Sequence, residues 1–438
     1  MLKEINIGVV CLARKTFDYV AAKNLYFKIQ EQLEKIASVN WSFISELVIE
    51  IADARKAAKT LKEKHIDGLV VISGTFALGH LVLELHKTLK SPILLWGLEE
   101  LPYDGGKIRL NSVCGVNLNS SNLYKAGVKN YHTIIGPSID NDWLGAIRIK
   151  KALSETNLGL IGYRAQGFFN LDIDELDLYK KLGLLINHYE LESIFRTKVE
   201  KEKVEKRKRQ VEELFDLSDL SPEQTLKVAE LTAKFDHFIE KNNLTCLAIR
   251  CWPEFAASFG ISPCAAMSIL QAEEKIIACE GDALGALSMV AHQAIGAKTP
   301  FLADFSQVDF QENHALLWHC GVAPYNLWDE KCTRSLDSYF AGGKGVTADF
   351  VMKDGGISIA RLDYAPGEYR IFLQEGQAVP MDKELKGTYM KVIFEENVRT
   401  VLKKIIGNGI AHHVSVVYGK FLEPFRIFAR INNWEIIE

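Results

Sequence analysis

The sequence lacks several features that mark common classes of protein. Its 438 residues carry 52 Lys and Arg against 56 Asp and Glu, a net charge of -4, so no basic excess would attract nucleic acid or an anionic membrane. Charge-free stretches such as residues 68–83 and 313–328 are sixteen residues long, and the longest, residues 255–272, is eighteen. A membrane-spanning helix needs roughly 20. We therefore expect neither a nucleic-acid nor a membrane partner.

Cysteine spacing excludes two further classes. The eight cysteines never form a Cys-x-x-Cys pair, which argues against a zinc ribbon or a disulfide scaffold and favours buried, reduced thiols. The start of the chain, residues 1–6, has an acid at position 4 and lacks the basic region of a signal peptide. The expected location is the cytoplasm.

Three nucleotide-binding or catalytic motifs are also missing. No Gly-x-Gly-x-x-Gly follows the first apolar run, so a nicotinamide-binding fingerprint is absent. The segment Gly342-Gly-Lys-Gly345 lacks the upstream Gly and the Ser or Thr of a phosphate-binding P-loop. No Gly-x-Ser-x-Gly marks the nucleophile of a serine hydrolase.

Apolar residues make up 48% of the chain, and their pattern predicts an α/β fold. Short apolar runs that read as buried strands alternate with longer amphipathic stretches, which favours parallel sheets. The predicted strands of the first part are residues 5–11, 68–72 and 93–96, and its predicted helices are residues 17–37, 51–64 and 77–89.

A similar alternation starts again at residue 157, and its charged segment, residues 196–209, is expected to form a solvated helical pair with a helix starting at Ser221-Pro222. From about residue 335 the alternating apolar positions of residues 355–363 and 369–373 indicate antiparallel strands. The predicted architecture is two doubly wound parallel-sheet domains followed by a smaller antiparallel, barrel-like domain. The predicted boundaries are 1–155, 156–330 and 331–438.

Two acids stand out in the middle of the chain. Glu280 and Asp304 each follow a short apolar strand, and one helix separates them, as in a βαβ unit. The carboxyl ends of neighbouring parallel strands face one crevice, so we expect the two carboxylates to converge there. A divalent cation is a usual partner for buried carboxylates. The alternative is that each acid caps the helix that follows it.

Histidines near the acids favour a metal site. His314 and His319 lie in one apolar segment, and the pair His412-His413 precedes the strand-like run 414–419. Only one of two successive residues on a strand can face the core. Carboxylates together with imidazoles form a mixed oxygen and nitrogen site that suits Mn²⁺ or Mg²⁺.

Several short motifs resemble, in order and approximate spacing, the L-fucose isomerase and L-arabinose isomerase superfamily. They are Arg250-Cys-Trp-Pro-Glu254, Cys279-Glu-Gly-Asp282, Phe301-Leu-Ala-Asp-Phe305, Leu317-Trp-His-Cys-Gly321 and the late His412-His413 followed by Tyr418-Gly419. The resemblance extends over most of the chain. It implies a metal-dependent aldose–ketose isomerase whose middle domain carries the two acids and whose C-terminal domain supplies the last histidine.

The resemblance also implies roles for individual residues. Glu280 and Asp304 would bind Mn²⁺, with Mg²⁺ or Co²⁺ as alternatives, and would exchange the proton between C1 and C2 of the sugar through a cis-enediolate. His413 resembles the metal-binding histidine of the family, and the opposite assignment of the His412-His413 pair stays open. His319 is similar to an additional metal-site histidine of the arabinose branch.

Substrate contacts are implied for three residues. His412 would face the substrate, Trp252 would offer a flat apolar face, and Arg14 resembles an arginine that reaches the sugar from an adjacent subunit. A surface loop arginine is the alternative for Arg14, and a core aromatic is the alternative for Trp252. Related assemblies imply a homo-oligomer, a trimer or a hexamer.

The expected substrate is a small-molecule sugar: a pentose, a 6-deoxyhexose or a modified hexose similar to L-fucose, L-arabinose or D-arabinose. A phosphorylated or sulfonated sugar is the alternative, because the charged segment 196–209 has no counterpart in the resemblance. Two further alternatives are a non-catalytic sugar-binding or regulatory protein on the same fold, and an aldolase or epimerase that uses the same enediolate.

Overall fold

The structure is a computed structural model that describes residues 2–365 and 367–438. It divides into two compact units. The first unit comprises residues 2–151 and 423–435, and the second comprises residues 152–422 and 436–438. The division of the chain into three domains stays a prediction. None of the helices in the described part combines the length and the apolar character that crossing a bilayer needs.

The first unit is built on a five-stranded parallel sheet with the strand order β2-β1-β3-β4-β5. Its strands are β1 (Ile5–Leu12), β2 (Val39–Phe43), β3 (Gly68–Ser73), β4 (Ile93–Gly97) and β5 (Tyr131–Ile135). The helices of this part of the chain are α1 (Tyr19–Leu33), α2 (Ile51–Glu63), α3 (His80–Leu89), α4 (Ser112–Lys125) and α5 (Asn141–Ser154). The three predicted strands and three predicted helices are confirmed.

Helix α1 begins two residues later than predicted because Asp18 caps it. The Asp18 carboxylate accepts a hydrogen bond from the N–H of Ala21 at 3.0 Å, which satisfies one of the free donors of the first turn. Strands β3 and β4 are buried along their whole length, which explains why their sequences are continuous apolar runs.

The second unit opens with a four-stranded parallel sheet with the order β7-β6-β8-β9. Its strands are β6 (Leu158–Ile161), β7 (Ile186–Tyr189), β8 (Cys246–Ile249) and β9 (Ile276–Ala278). Its helices are α6 (Glu175–Leu182), α7 (Leu191–Phe195), α8 (Lys201–Leu214), α9 (Pro222–Lys241), α10 (Cys264–Ala272) and α11 (Ala283–Ala294).

The charged segment forms α8, and the predicted helical pair is confirmed. Ser221 and Gln224 form a capping box that starts α9. Arg207 on α8 contacts Asp236 on α9 at 2.9 Å and also pairs with Glu273. The basic residues of α8 therefore lie on a largely solvated helix face, and acidic side chains pair with Arg207 on this helix.

The rest of the unit is a nine-stranded sheet in which β16 pairs with both β11 and β15. Six strands in the order β16-β11-β10-β17-β14-β15 therefore close into a barrel, as the sequence predicts. The strands are β10 (Phe301–Asp309), β11 (His314–His319), β12 (Ser335–Asp337), β13 (Thr347–Val351), β14 (Gly355–Ala365), β15 (Glu368–Val379), β16 (Thr388–Ile393), β17 (His413–Tyr418) and β18 (Glu435–Ile437). The last helix of this unit is α12 (Val398–Gly407), and α13 (Leu422–Asn432) belongs almost entirely to the first unit.

The predicted βαβ unit around Glu280 and Asp304 is wrong. Strand β9 lies in the parallel sheet, whereas β10 lies in the barrel, antiparallel to β11 and β17. Strand β10 also continues past Asp304 to Asp309 and pairs with β11 as far as His314, with a bulge between Phe305 and Gln307. A single apolar core joins the parallel sheet to the barrel, with members such as Ile277 and Val416.

Candidate active site

Glu280 lies in a tight turn directly after β9. Its φ and ψ are 62° and 12°, in the left-handed region that a side-chain-bearing residue seldom adopts. The loop after β6 supports this turn, since the N–H of Ala165 donates to the carbonyl of Glu280 at 3.1 Å. A Cβ at Gly281 would collide with the backbone of Tyr163 and Arg164, so the close approach requires glycine. The turn points a carboxylate that is 16% exposed toward the barrel.

Asp304 and His413 are direct partners across the antiparallel pair β10 and β17. The distance from His413 Nε2 to Asp304 Oδ1 is 3.5 Å, and the distance from the same nitrogen to Glu280 Oε2 is 3.4 Å. Both carboxylates therefore meet at one imidazole nitrogen of a fully buried histidine, although their strands belong to different sheets.

His319 ends β11 beside this group. Its ring stacks on that of His413 with a centroid distance of 5.4 Å and an angle of 22°. Asp304, His319 and His413 offer ligand atoms that all lie within 4.8 Å of one another, and so do Glu280, His412 and His413. The site residues predicted within this unit therefore gather in one place.

Three buried polar atoms in this group find no hydrogen-bond partner among the described residues. They are Asp304 Oδ1, His319 Nε2 and His413 Nε2. Leaving such an atom unpaired costs about 1–3 kcal/mol, and more for a charged group. The donor set of carboxylate oxygens and an imidazole nitrogen fits a hard divalent cation, which would satisfy Asp304 and His413 together.

Asp282 and Arg361 orient His413 from behind. His413 Nδ1 donates to Asp282 Oδ2 at 2.9 Å, and Arg361 binds both oxygens of that carboxylate at 2.7 and 3.2 Å. Burial opposes ionisation of Asp282, but Arg361 and His413 outweigh it and hold the pKa well below its usual range. Because the ionised carboxylate only accepts, His413 must carry its proton on Nδ1 and can present the lone pair of Nε2 to a cation.

His319 has the opposite arrangement. The backbone N–H of Cys320 donates to His319 Nδ1 at 2.8 Å, so the neutral ring carries its proton on Nε2. Of the two stacked imidazoles, His413 thus presents a lone pair to the site, whereas His319 presents an N–H.

The electrostatics of Glu280 and His413 are linked. Burial opposes the charged form of Glu280, but the neighbouring His412 and His413 outweigh it and lower the pKa to about 2. Burial also disfavours a charged His413, yet the neighbouring Asp282 and Glu280 raise the pKa to about 9. A metal ion binds the deprotonated nitrogen, so metal binding at Nε2 competes with a proton.

His412 lies on the solvent side of the pair and is 38% exposed. The amide nitrogen of Asn170 donates to His412 Nδ1 at 3.0 Å, which leaves the proton of a neutral ring on Nε2, 3.3 Å from Glu280 Oε2. The ring of Phe168 packs edge-on against His412 at 5.3 Å.

Trp252 also contacts Glu280. Its Nε1 donates to Glu280 Oε1 at 3.3 Å, and its ring, in a residue that is 41% exposed, lines a cavity of about 470 Å³. The cavity is lined by Glu280, Asp304 and His319, and its apolar wall includes Pro253 and Phe340. None of the described residues that line the cavity is Lys or Arg.

Arg14 lies in the other unit, two residues beyond β1, where its backbone N–H donates to Thr75 Oγ1 at 2.8 Å. Its contact with a sugar stays a prediction.

Sequence reasoning missed four residues of this site. Asp282 lies two residues after Glu280 in the same motif, so its position in the sequence could have indicated that it belongs to the site. Arg361 and Asp363 are the charges of an otherwise apolar strand, and nothing near them in the sequence indicates that Asp282 is a partner. Phe168 and Asn170 lie in a loop whose sequence carries no comparable signal.

Comparisons with known proteins agree with this geometry. A family model described as the N-terminal domain of fucose/sulfoquinovose isomerase matches residues 8–140. A second, described as the C-terminal domain of L-fucose isomerase, matches residues 318–438.

Curated relatives cover nearly the whole chain. The sulfoquinovose isomerase of Priestia aryabhattai is 27% identical over 99% of this chain and 99% of its own. That of Alkalicoccus urumqiensis is 28% identical over 85% of this chain and 86% of its own. That of Clostridium sp. strain MSTE9 is 24% identical over 80% and 81%.

Similarity to solved structures is weak. Rp1789 of Rhodopseudomonas palustris covers 70% of this chain and 70% of its own at 13% identity, with a TM-score of 0.19, which carries no argument. The two family models and the relatives that span the chain carry the assignment: this chain belongs to the fucose isomerase-like family and is an aldose–ketose isomerase.

Proposed function

We propose that the chain is a metal-dependent isomerase that converts a sulfonated aldose into the corresponding ketose. The convergence of Glu280, Asp304 and His413 on one point is the observation that carries the metal-dependent isomerase chemistry. The sulfonated substrate is supported by the relatives, which are named sulfoquinovose isomerases. The comparisons thus favour the sulfonated-sugar alternative over an unmodified pentose or 6-deoxyhexose.

Glu280, Asp304 and His413 would hold the cation. Their hard oxygen and imidazole donors suit Mn²⁺, with Mg²⁺ or Co²⁺ as alternatives. Such a cation supplies positive charge that stabilises the negative charge developing on O1 and O2 of the sugar. His319 is better suited to donate its Nε2–H to a substrate oxygen than to bind the ion, because Cys320 occupies its Nδ1.

The two carboxylates would move the proton. Isomerisation takes a proton from C2 of the aldose and places one on C1, while the O2 hydroxyl proton moves to O1. Glu280 is ionised across the neutral range, since its pKa lies at about 2, and it can accept the carbon-bound proton as a general base. Glu280 then returns a proton to C1, while Asp304, across the site on β10, can relay the hydroxyl proton from O2 to O1; in the reverse reaction each carboxylate moves its proton the other way.

Trp252 and His412 keep the Glu280 carboxylate oriented, one on each oxygen. A bound sugar would lie against the Trp252 ring, in a cavity whose volume of about 470 Å³ suits one monosaccharide. A sulfonate is bound best by cationic donors. Because the described cavity wall lacks Lys and Arg, Arg14 of an adjacent copy is our candidate, in a trimer or hexamer.

A substrate and metal panel tests this function. The protein would be stripped with EDTA and assayed with sulfoquinovose, L-fucose, L-arabinose and D-arabinose, with and without Mn²⁺. We expect sulfoquinovose to give the highest kcat/KM and metal removal to lower kcat by at least about 100-fold, because the lost charge stabilisation amounts to several kcal/mol. Full turnover after stripping would refute the metal dependence, and a neutral sugar as the best substrate would refute the sulfonate assignment.

NMR of the product formed in deuterated water separates an isomerase from the other chemistries. An isomerase gives a ketose of unchanged chain length with deuterium at C1. A cleaved chain would indicate an aldolase, and an aldose inverted at C2 would indicate an epimerase.

The support of His413 by Asp282 gives a separate prediction for metal affinity. Asp282→Asn leaves the space filled but removes the charge that fixes the His413 proton on Nδ1. We expect the affinity for Mn²⁺, measured by calorimetry on stripped protein, to fall by about 10- to 100-fold. Asp309→Asn, an exposed acid on β10, is the control. Equal affinities in the two variants would contradict the role of Asp282.

A further inference from the structure

Four thiols gather behind the candidate active site, and the isomerase chemistry uses none of them. This thiol cluster consists of Cys251, Cys264, Cys279 and Cys320, all of them free cysteines. Cys251 Sγ lies 2.9 Å from Cys279 Sγ, and Cys264 Sγ lies 3.7 Å from Cys320 Sγ. Cys279 and Cys320 offer sulfur atoms within 4.8 Å of each other. Half of the cysteines of the chain thus meet in one place.

The fold, rather than sequence spacing, builds the cluster. Cys251 and Cys279 follow the neighbouring parallel strands β8 and β9, Cys264 opens α10, and Cys320 follows β11 of the barrel. Cys251, Cys264 and Cys320 line the cavity beside Glu280, and Cys279 is buried directly behind it. A small ion that enters the cavity can therefore reach the sulfur atoms.

The spacing of the sulfur atoms suits a thiophilic cation. In a tetrahedral zinc site with Zn–S bonds of about 2.3 Å, neighbouring sulfur atoms lie about 3.8 Å apart. The Cys264–Cys320 separation of 3.7 Å already has this value. The sulfur atoms follow one another in the order Cys251, Cys279, Cys320 and Cys264, at 2.9 Å, within 4.8 Å and at 3.7 Å. One cation would bind all four after side-chain rotations that bring the two ends of this row, Cys251 and Cys264, toward each other.

Sulfur also sets this cluster apart from the oxygen and nitrogen donors of Glu280, Asp304 and His413. His319 lies between the two groups, but its Nδ1, which faces Cys320 Sγ at 3.2 Å, already accepts the Cys320 N–H. The thiols are thus the available ligands on their side of His319, and thiolates select Zn²⁺ over Mn²⁺ or Mg²⁺.

We propose that the thiol cluster binds one thiophilic divalent cation of the Zn²⁺ class, at a second site adjacent to the catalytic one. Cys279 immediately precedes Glu280, and Cys320 immediately follows His319. A cation bound by these thiolates would tie together the backbone of β9 and β11 at the residues that carry the catalytic side chains.

Cd²⁺ is the probe for this site, since its thiolate complexes absorb in the ultraviolet. Full-length protein with the exposed thiol removed by Cys114→Ser would be stripped of metal, kept reduced and titrated with Cd²⁺. We expect one Cd²⁺ per chain. Each of Cys251→Ala, Cys264→Ala, Cys279→Ala and Cys320→Ala should lose about one quarter of the charge-transfer absorbance and weaken binding at least about tenfold.

Cys246→Ala is the matched control, because Cys246 is buried on the strand that precedes Cys251 and lies outside the cluster. It should bind Cd²⁺ like the parent protein. Prior loading with Mn²⁺ should leave the Cd²⁺ absorbance unchanged, which also separates this site from the catalytic one.

Four results would overturn the proposal: no thiolate absorbance with Cd²⁺, equal losses in Cys246→Ala and the cluster variants, loss of the Cd²⁺ signal on loading with Mn²⁺, or a missing pair of free thiols. A count of free thiols in the unfolded, non-reduced protein that falls short by two would identify a disulfide in place of a cation site. None of these results affects the Mn²⁺ and substrate assays, so the two proposals fail separately.

Discussion

Glu280→Gln and Asp304→Asn are each expected to lower kcat by about 10²- to 10⁴-fold, the usual contribution of a positioned acid or base. Each amide keeps the shape of its side chain, but Glu280→Gln can no longer accept the carbon-bound proton, and Asp304→Asn can no longer relay the hydroxyl proton between the sugar oxygens. Each change also removes a negative charge from the point where both acids approach His413 Nε2, so Mn²⁺ affinity should fall as well. Steady-state kinetics at saturating Mn²⁺ separates the two effects.

The controls for these variants come from nearby acids. Asp309→Asn lies on the same strand as Asp304 but is exposed, and Glu254→Gln alters an acid that pairs with Arg250 next to Trp252. Both should keep kcat within about twofold, because neither acid lines the cavity. Exchange of the C2 proton with solvent should disappear in Glu280→Gln. If either carboxamide variant keeps full turnover, the assignment of that acid is wrong.

Arg361→Met is expected to lower the free energy of unfolding by about 3–5 kcal/mol. Arg361 is fully buried, binds both oxygens of Asp282, contacts Asp363 at 3.4 Å and donates to the carbonyl of His413 at 3.0 Å. Methionine fills similar space without the charge, so Asp282 would stay ionised and buried with only the His413 imidazole and the Gly285 N–H as partners. Denaturation with urea measures the loss.

Arg196→Met is the control for the arginine. The Arg196 side chain is 80% exposed and pairs with Glu192 one helical turn away, so its loss should cost less than about 1 kcal/mol. A change of similar size in both variants would show that the buried ion pairs of Arg361 contribute no more than a surface pair does.

Much of the fold follows from sequence pattern because the relevant signals are local. Strands β1, β3 and β4 are buried on both faces. Each is therefore a continuous apolar run that can be recognised in the sequence. The capping box of Ser221 and Gln224 likewise lies within four residues. Closure of the barrel is signalled only by the alternation in β14 and β15, which indicates antiparallel pairing but not its partners.

The candidate site is harder to predict because long-range pairing builds it. Glu280 and Asp304 do converge, but through the meeting of a parallel sheet and a barrel strand rather than through a βαβ unit. Only the register of β10 against β17 sets Asp304 opposite His413, more than one hundred residues later in the chain. The contact between Asp282 and Arg361 depends on the same barrel and leaves no trace in local sequence.

The pairing of Asp304 with His413 has a consequence for how this enzyme can diverge. The distance between these two candidate metal ligands is set by the strand separation, about 4.8 Å, and closure of the barrel prevents either strand from shifting its register. Substitutions in the barrel interior therefore change the volume of the interior without changing the distance between Asp304 and His413. The apolar wall that includes Pro253 and Phe340 is outside this constraint, so substitutions there can accommodate new sugars while Glu280 and Asp304 are inherited unchanged.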